Sequence, residues 1–546
     1  MYTLRHGGAD DDRMRALDNK ITESRSGSGR DGRASLAFLK PSMADWIFVS
    51  LLGWLFFGAA AATSLLSDGD TGWHIRTGEH VLATGDFPRE DLFAFTMEGR
   101  TWFAWEWLAD VIFAGAHGVA GLAGISFLGA VVIAATAAGL FRYMMWLEVN
   151  VLLAIVGMFT ASSAATLHWL SRPHMFTWGL LLITLWLLES DRRNPSRRVY
   201  WLVPMGIVWT NLHGGFVALL VTLGIYMVGT SVEQIWGADR STVSSTWQIP
   251  PALKRYGVLL ALCLAGTLVN PYTYELHTHI FHYLGSDFIL NNVQEFQSPN
   301  FRGESMRVFE VYLVLSIILA GRMLWRRDVT LGLLLLAWAH ASLTSVRHMP
   351  LFMIVAVPLV ARELTVLMDE QAERGNTWLQ TLREMAHDYV GGSARERGVF
   401  VVSWFGIAAM IGLGFLMEAR AGQTNWTAEF PRAQFPALAC DQLGDRLQNR
   451  RILSSDQWGD YLIYRFHPNT KVFIDGRSDF YDPQVRDDYV DLLGPKWGWQ
   501  QILEKYSFDG ALIPVSWSLA SAMKIDTGWR LVYDDGTALF FERNPR

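Results

Sequence analysis

The chain has 546 residues, 51% hydrophobic and 18% charged, with a mean hydropathy of +0.18. Long apolar runs recur along it at the length that crosses a bilayer, which excludes a wholly soluble protein. The small net charge of −6, with no basic tract, gives no reason to expect a nucleic-acid partner. The two cysteines, Cys263 and Cys440, supply neither a disulfide framework nor a metal-ligand spacing, and the 24 tryptophans suit a protein with two membrane interfaces.

Residues 1–43 are polar, mixed in charge and rich in Gly, Ser and Arg, and read as a disordered tail. The run that follows is too long and too far from the start for an ordinary signal peptide, so it reads as an uncleaved first helix. Eleven spans are expected: 44–66, 121–141, 151–167, 174–189, 199–211, 214–236, 256–270, 308–325, 329–345, 348–366 and 399–418. The segment 104–119 is apolar but carries Glu106, Asp110 and His117, and reads as an interfacial helix. That choice follows from the positive-inside rule. It leaves Arg192, Arg193, Arg197, Arg198, Lys254, Arg255, Arg326 and Arg327 on the cytoplasmic side together with the tail and the amphipathic stretch 367–398.

Residues 419–546 then form a small α/β domain on the outer side. Lys471–Asp475 and Gly510–Pro514 read as buried strands, and Trp529–Tyr533 with Ala538–Glu542 as a hairpin about Asp534, Asp535 and Gly536. The expected architecture is therefore a multi-pass α-helical membrane protein with a long first outer loop, 67–120, and a C-terminal extracytoplasmic α/β domain. The expected location is the inner (cytoplasmic) membrane, with a cytoplasmic N-terminus and a periplasmic end domain.

With this topology the unusual polar residues gather on one face. Asp68 and Asp70 open the first outer loop. His168, Arg172 and His174 lie in HWLSRPH, Asn211 and His213 in NLHGG, Glu295 and Gln297 in QEFQSP, and Arg347 and His348 in SVRH. Each has a bland reading: a helix cap for Asp68 or Asp70, an interfacial anchor for either arginine, and close helix packing for Gly214 and Gly215. His279 and His282 share a helical face, with His277 only loosely beside them, so a metal site there is the weaker alternative. Polar groups at membrane depth mark function by default, and their convergence from distant segments favours an outward-facing cleft.

Such a cleft suits a reaction between a lipid-carried donor and a second substrate. For a polyprenyl-phosphate sugar, arginine or a divalent cation must meet the phosphate, and a carboxylate must take the acceptor proton or hold the metal. Asp70 is the expected catalytic acid or base, aided by Asp68, with Glu106 as second acid. Arg172, His174, Arg347 and His348 are the expected phosphate ligands. Trp73, His74, Arg76, Asn211, His213, Glu295 and Gln297 are expected to contact substrate, with Trp102, Trp105 and Trp107 nearby. Asp68 and Asp70 are also the candidate ligands of a divalent ion such as Mg, Mn or Ca. The alternatives are a lipid-linked glycan polymerase or ligase, a lipid-sugar flippase, and a non-enzymatic scaffold.

The order of inner tail, first helix, acidic outer loop, helix bundle and outer end domain resembles the GT-C superfamily of integral-membrane glycosyltransferases. SDGDTGWHIRTGEHVLATGDF (67–87) looks like that group's first-loop pattern, and DQWGDYLIYRFHPNTKVFIDGRSDFY (456–481) looks like the end domains of some members. The resemblance implies Asp70 as the catalytic acid and places Glu106 near the lipid phosphate. It also implies a polyprenyl-phosphate-linked donor and a glycan, lipid or protein acceptor. The chain departs from the group's Asp-Glu pair, since Thr71 follows Asp70, and it lacks a Pro-Pro motif before the second span and a WWDYG-like motif.

Overall fold

The computed structural model describes residues 41–57, 61–237, 249–303, 306–392, 412 and 428–545, without the side chains of 57, 61 and 387–392. Five helical stretches are long and apolar enough to cross a membrane: Trp107–Trp146, Val151–His168, Gly214–Gly237, Arg307–Trp325 and Val346–Glu373. Met43–Phe56 and Val329–Thr344 are shorter apolar helices.

Helices stand at ten of the eleven expected spans. We number those used below α1 (Met43–Phe57), α2 (Thr71–Thr84), α3 (Trp107–Trp146), α4 (Val151–Ala165), α5 (His174–Arg193), α6 (Leu202–Leu212), α7 (Val217–Gly237), α8 (Pro251–Gly266), α9 (Glu275–Leu284), α10 (Arg307–Trp325), α11 (Val329–Thr344) and α12 (Met349–Glu373). The eleventh expected span, 399–418, lies outside the described residues apart from residue 412.

The segment 104–119 and the span after it are joined in α3, but Ala120 and Gly121 break the helix between them. Gly121 has φ +60 and ψ −147, a conformation that costs a glycine little and other residues much. The boundary expected between 119 and 121 therefore stands at a break in the helix, and the first half of α3 carries Asp110. At the other extreme, α12 is buried on every side from Met349 to Ala361, as an apolar helix without a polar stripe must be. It packs against α4, α10 and α11.

The end domain has a four-stranded sheet, β1 (Ile452–Leu453), β2 (Gly510–Pro514), β3 (Trp529–Asp534) and β4 (Ala538–Arg543), in the order β1-β2-β4-β3. β1 runs parallel to β2, and the other pairs are antiparallel. The expected hairpin is β3–β4, with Gly536 at φ +82 and Asp535 Oδ1 accepting from the amides of Thr537 and Ala538. Helix α13 (Asp456–Phe466) precedes the stretch 471–475.

That stretch is a correction to the strand expected there. It is not part of the sheet: Val472 bridges to Ala94 of the first outer loop instead. The Val472 amide donates to Phe93 O at 2.8 Å, and the Phe95 amide donates to Val472 O at 3.0 Å. Ala94 and Met97 also enter the buried apolar cluster that contains Phe473, Phe508, Ile513 and Phe541. The end domain's core thus contains residues from the first outer loop, and the two form one packed layer over the bundle.

Candidate active site

Glycines let that layer close. A Cβ on Gly72 would overlap Asp460 O, and one on Gly69 would overlap Gln457 O. Helix α13 therefore lies directly on the start of α2, with the Gly69 amide donating to Gln457 Oε1 at 2.8 Å. A Cβ on Gly476 would overlap the carboxylate oxygens of both Asp70 and Asp460, so only a glycine fits over that pair. The Gly476 amide donates to Asp460 at 3.0 and 3.1 Å.

Asp70 occupies the N-cap position of α2 but makes no capping bond with its side chain. Its Oδ2 instead meets Arg172 Nη2 at 2.6 Å. Arg172 Nη1 lies 2.9 Å from Asp68 Oδ2 and 3.1 Å from Glu295 Oε1. Asp68 Oδ1 accepts from the Asp70 amide at 2.9 Å, so Asp68 both folds the turn and balances the arginine. One guanidinium thus serves three carboxylates, from the first loop and from the loop at 294–297, while Asp460 faces the remaining oxygen of Asp70.

The electrostatics follow from that count. Burial outweighs Arg172 at Asp70 and, with Asp68 and Glu295 nearby, pushes its carboxyl up to about 7. Asp460 is fully buried beside Asp70 and is pushed well above the usual carboxylate range, by burial first and then by Asp70. Glu295 is held down at about 2, mainly by Arg172. Two buried carboxyls face to face share a proton; Arg172 favours the ionised form on Asp70, which puts the proton on Asp460.

A second cluster lies one helical turn along. His74 follows Asp70 by four residues on the same face of α2, and its Nδ1 is 2.6 Å from Asp110 Oδ1. Its Nε2 is 3.6 Å from Glu106 Oε2, and His213 Nε2 is 3.5 Å from Glu106 Oε1. All but His213 are buried. Burial first, with Arg172 and His174 adding, keeps His74 neutral. Burial pushes Glu106 up to about 8, against the pull of Arg172 and Arg347.

Arg347 stands apart. Its Nη1 donates to Tyr283 Oη at 3.3 Å, and its guanidinium lies 4.3 Å from the Phe296 ring centre. It makes no ion pair among the described residues, although its charge reaches both Glu106 and Glu295.

The expected site residues therefore divide. Asp68, Asp70, Arg172 and Glu295 form one cluster, and Glu106, His74 and His213 the other, with Arg347 beside them. Arg172, expected as a phosphate ligand, here faces three carboxylates. His174 Nε2 bonds to His168 O and His348 Nδ1 to Ala341 O, so both ring bonds go to the main chain. Gln297 Nε2 donates to Asn291 O, while Asn211 bridges Ile207 O and Val269 O and accepts from Trp107 Nε1. Arg76 pairs with Glu79 and holds Tyr464 O of the end domain. Trp73 is buried with its ring against His74, at 3.6 Å between centres, and Trp102 is buried against Arg477; neither ring presents an open face to a sugar.

Three participants were not singled out from the sequence: Asp110, Asp460 and Gly476. The quoted end-domain stretch held the last two, but nothing in it told which acid would meet Asp70. As for a metal, Asp68 and Asp70 each turn an oxygen to Arg172, and among the described residues no group of three or more His, Cys, Asp or Glu is arranged to hold an ion.

No family model and no curated protein matches the chain. Solved structures do. The chain is similar to ArnT from Cupriavidus metallidurans bound to undecaprenyl phosphate, at 14% identity and TM-score 0.49, over 92% of this chain and 100% of that one. It is similar to the archaeal oligosaccharyltransferase AglB from Archaeoglobus fulgidus, in complex with an inhibitory peptide and a dolichol-phosphate, at 12% identity and TM-score 0.49, over 91% of this chain and 73% of that one.

Proposed function

We propose that the protein is a membrane glycosyltransferase that moves a sugar from a polyprenyl-phosphate donor to a glycan, lipid or protein acceptor on the outer face of the membrane. The observation that carries this reading is Arg347, a guanidinium without a carboxylate partner among the described residues, set beside buried carboxyl groups that burial pushes up to about 7 and about 8. An anionic leaving group needs the first and a hydroxyl nucleophile needs the second.

In this mechanism Arg347 receives the donor phosphate, and the bundle's apolar surface receives the prenyl chain. Asp70 takes the proton from the acceptor hydroxyl as its oxygen bonds to the anomeric carbon. The bond from that carbon to the phosphate oxygen breaks with its electron pair, and Glu106 gives its proton to the departing phosphate. A single displacement inverts the anomeric centre. Arg172 favours the ionised form of Asp70 and aims it. In the described form Gly476 and Asp460 cover the free oxygen of Asp70, so the acceptor hydroxyl reaches it only when the end-domain loop shifts. Asp70→Asn is expected to abolish transfer while the protein still purifies and unfolds as wild type does. Normal transfer by that variant would sink the reading.

A flippase would need polar groups along a path through the midplane, whereas both clusters here lie in loops and at helix ends. A glycan polymerase or ligase that works through its arginines would tolerate Asp70→Asn and fail on Arg347→Ala.

A further inference from the structure

Asp110 has no place in the mechanism above, yet it is fully buried and its Oδ1 is held 2.6 Å from His74 Nδ1. Its Oδ2 is buried without a hydrogen-bond partner. Two such atoms at that distance share a proton, and with Asp110 ionised the ring supplies it, which makes Nδ1 of His74 the donor. Nε2 of His74 is then a bare lone pair, and it faces Glu106 Oε2.

The other side of Glu106 has the opposite polarity. Nδ1 of His213 accepts the Gly215 amide at 3.0 Å and lies 2.8 Å from Thr177 Oγ1. Thr177 Oγ1 itself accepts from Trp209 Nε1 at 2.9 Å, which leaves its hydroxyl proton for His213. An accepting Nδ1 places the His213 proton on Nε2, aimed at Glu106 Oε1. Every group in the row has one direction: Asp110 accepts from His74, His74 faces a proton-bearing Oε2, and His213 offers its proton to Oε1.

We propose that Asp110, as the ionised partner of His74, is a positioning residue that fixes the tautomer of His74 and so turns a bare Nε2 toward Glu106, which stands between two imidazoles of opposite polarity. The two gaps of 3.6 and 3.5 Å flanking Glu106 let the carboxyl turn toward a bound phosphate and return. The assignment of Glu106 as the acid of sugar transfer rests on the proposed function; the tautomer of His74 does not.

The test has two independent arms. In nanodisc-embedded protein labelled with 15N-histidine, His74 joins His348, whose Nδ1 donates to Ala341 O, in showing a protonated Nδ1 and a bare Nε2, and the His74 signal is the one absent in His74→Gln. In Asp110→Asn the amide can donate as well as accept, so this signal is replaced by that of the other tautomer or by a mixture. Persistence of the wild-type tautomer in Asp110→Asn overturns the proposal. In the second arm, with a polyprenyl-phosphate sugar as substrate, Asp110→Asn lowers kcat by about a hundredfold or more, in the range for a misplaced acid–base group. KM for the donor stays within about twofold. His74→Gln, which keeps Asp110, shows the same split and serves if Asp110→Asn does not fold. Wild-type kcat in either folded variant also overturns the proposal. The expected tautomer signals with no sugar transfer by the wild type would sink the proposed function and leave this assignment standing.

Discussion

At the scale of single residues, Arg172 and Arg347 do different work. Arg172 is enclosed by Asp68, Asp70 and Glu295, so its removal leaves mostly buried acids unpaired. Arg172→Ala is expected to cost about 3–5 kcal/mol of stability, read as a lowered midpoint of thermal unfolding in detergent. Arg347 has no such debt: Arg347→Ala is expected to leave unfolding unchanged within about 1 kcal/mol and to raise KM for the donor about tenfold or more, the loss of one charge-assisted contact. Asp70 and Glu106 also set the pH dependence. As a base, Asp70 works only when ionised, so kcat rises with pH through about 7; as an acid, Glu106 works only when protonated, so kcat falls again through about 8. The expected profile is a narrow bell with two apparent values that belong to the coupled site as a whole. A flat profile from pH about 6 to about 9 would contradict these roles.

At the scale of elements, the seam between the first outer loop and the end domain decides whether the site is assembled. Its lock is Arg477, with Nη2 at 2.7 Å from Asp91 and 2.6 Å from Asp475 and its guanidinium within 5.0 Å of the Phe93 and Trp102 ring centres. Its glycine side is just as specific, because α13 touches α2 where Gly72 has no side chain. Gly72→Val is expected to cost about 1–3 kcal/mol by overpacking and to open the seam, read as protease cleavage between the bundle and the end domain. Unchanged protease resistance would mean that the helices adjust without separating. Much of this layer was legible in the sequence. The break before residue 121, the hairpin at 529–543 and the first-loop acids all stand where the pattern put them. The strand expected at 471–475 is extended and buried as its composition demands, but its partner is Ala94, some 380 residues earlier by sequence. Periodicity reports which residues are extended and buried; it carries no information about pairing across such a separation.

At the scale of the whole molecule, the polar residues read as one outward-facing group do converge, though as two clusters with distinct tasks. Their membership was only partly readable. Asp70, Glu106, Arg172 and Glu295 are unusual in their surroundings and could be picked out one by one. Asp110 and Asp460 look like ordinary helix acids, and only the folded arrangement turns them toward His74 and Asp70. The same arrangement buries Trp73, which was expected to contact substrate, and Trp102 near it. The end domain belongs to the site in this account, because Asp460 and Gly476 close over the carboxylate that the first loop presents.

The central claim is chemical turnover at Asp70, and phosphorus NMR tests it most directly. Purified full-length protein in nanodiscs is mixed with a polyprenyl-phosphate sugar and an acceptor mixture from the cell envelope, and the conversion of phosphodiester to phosphomonoester is followed. The expected result is acceptor-dependent release of polyprenyl phosphate by the wild type and none by Asp70→Asn. A donor that crosses the bilayer with its phosphodiester intact, or equal release by wild type and Asp70→Asn, would contradict it.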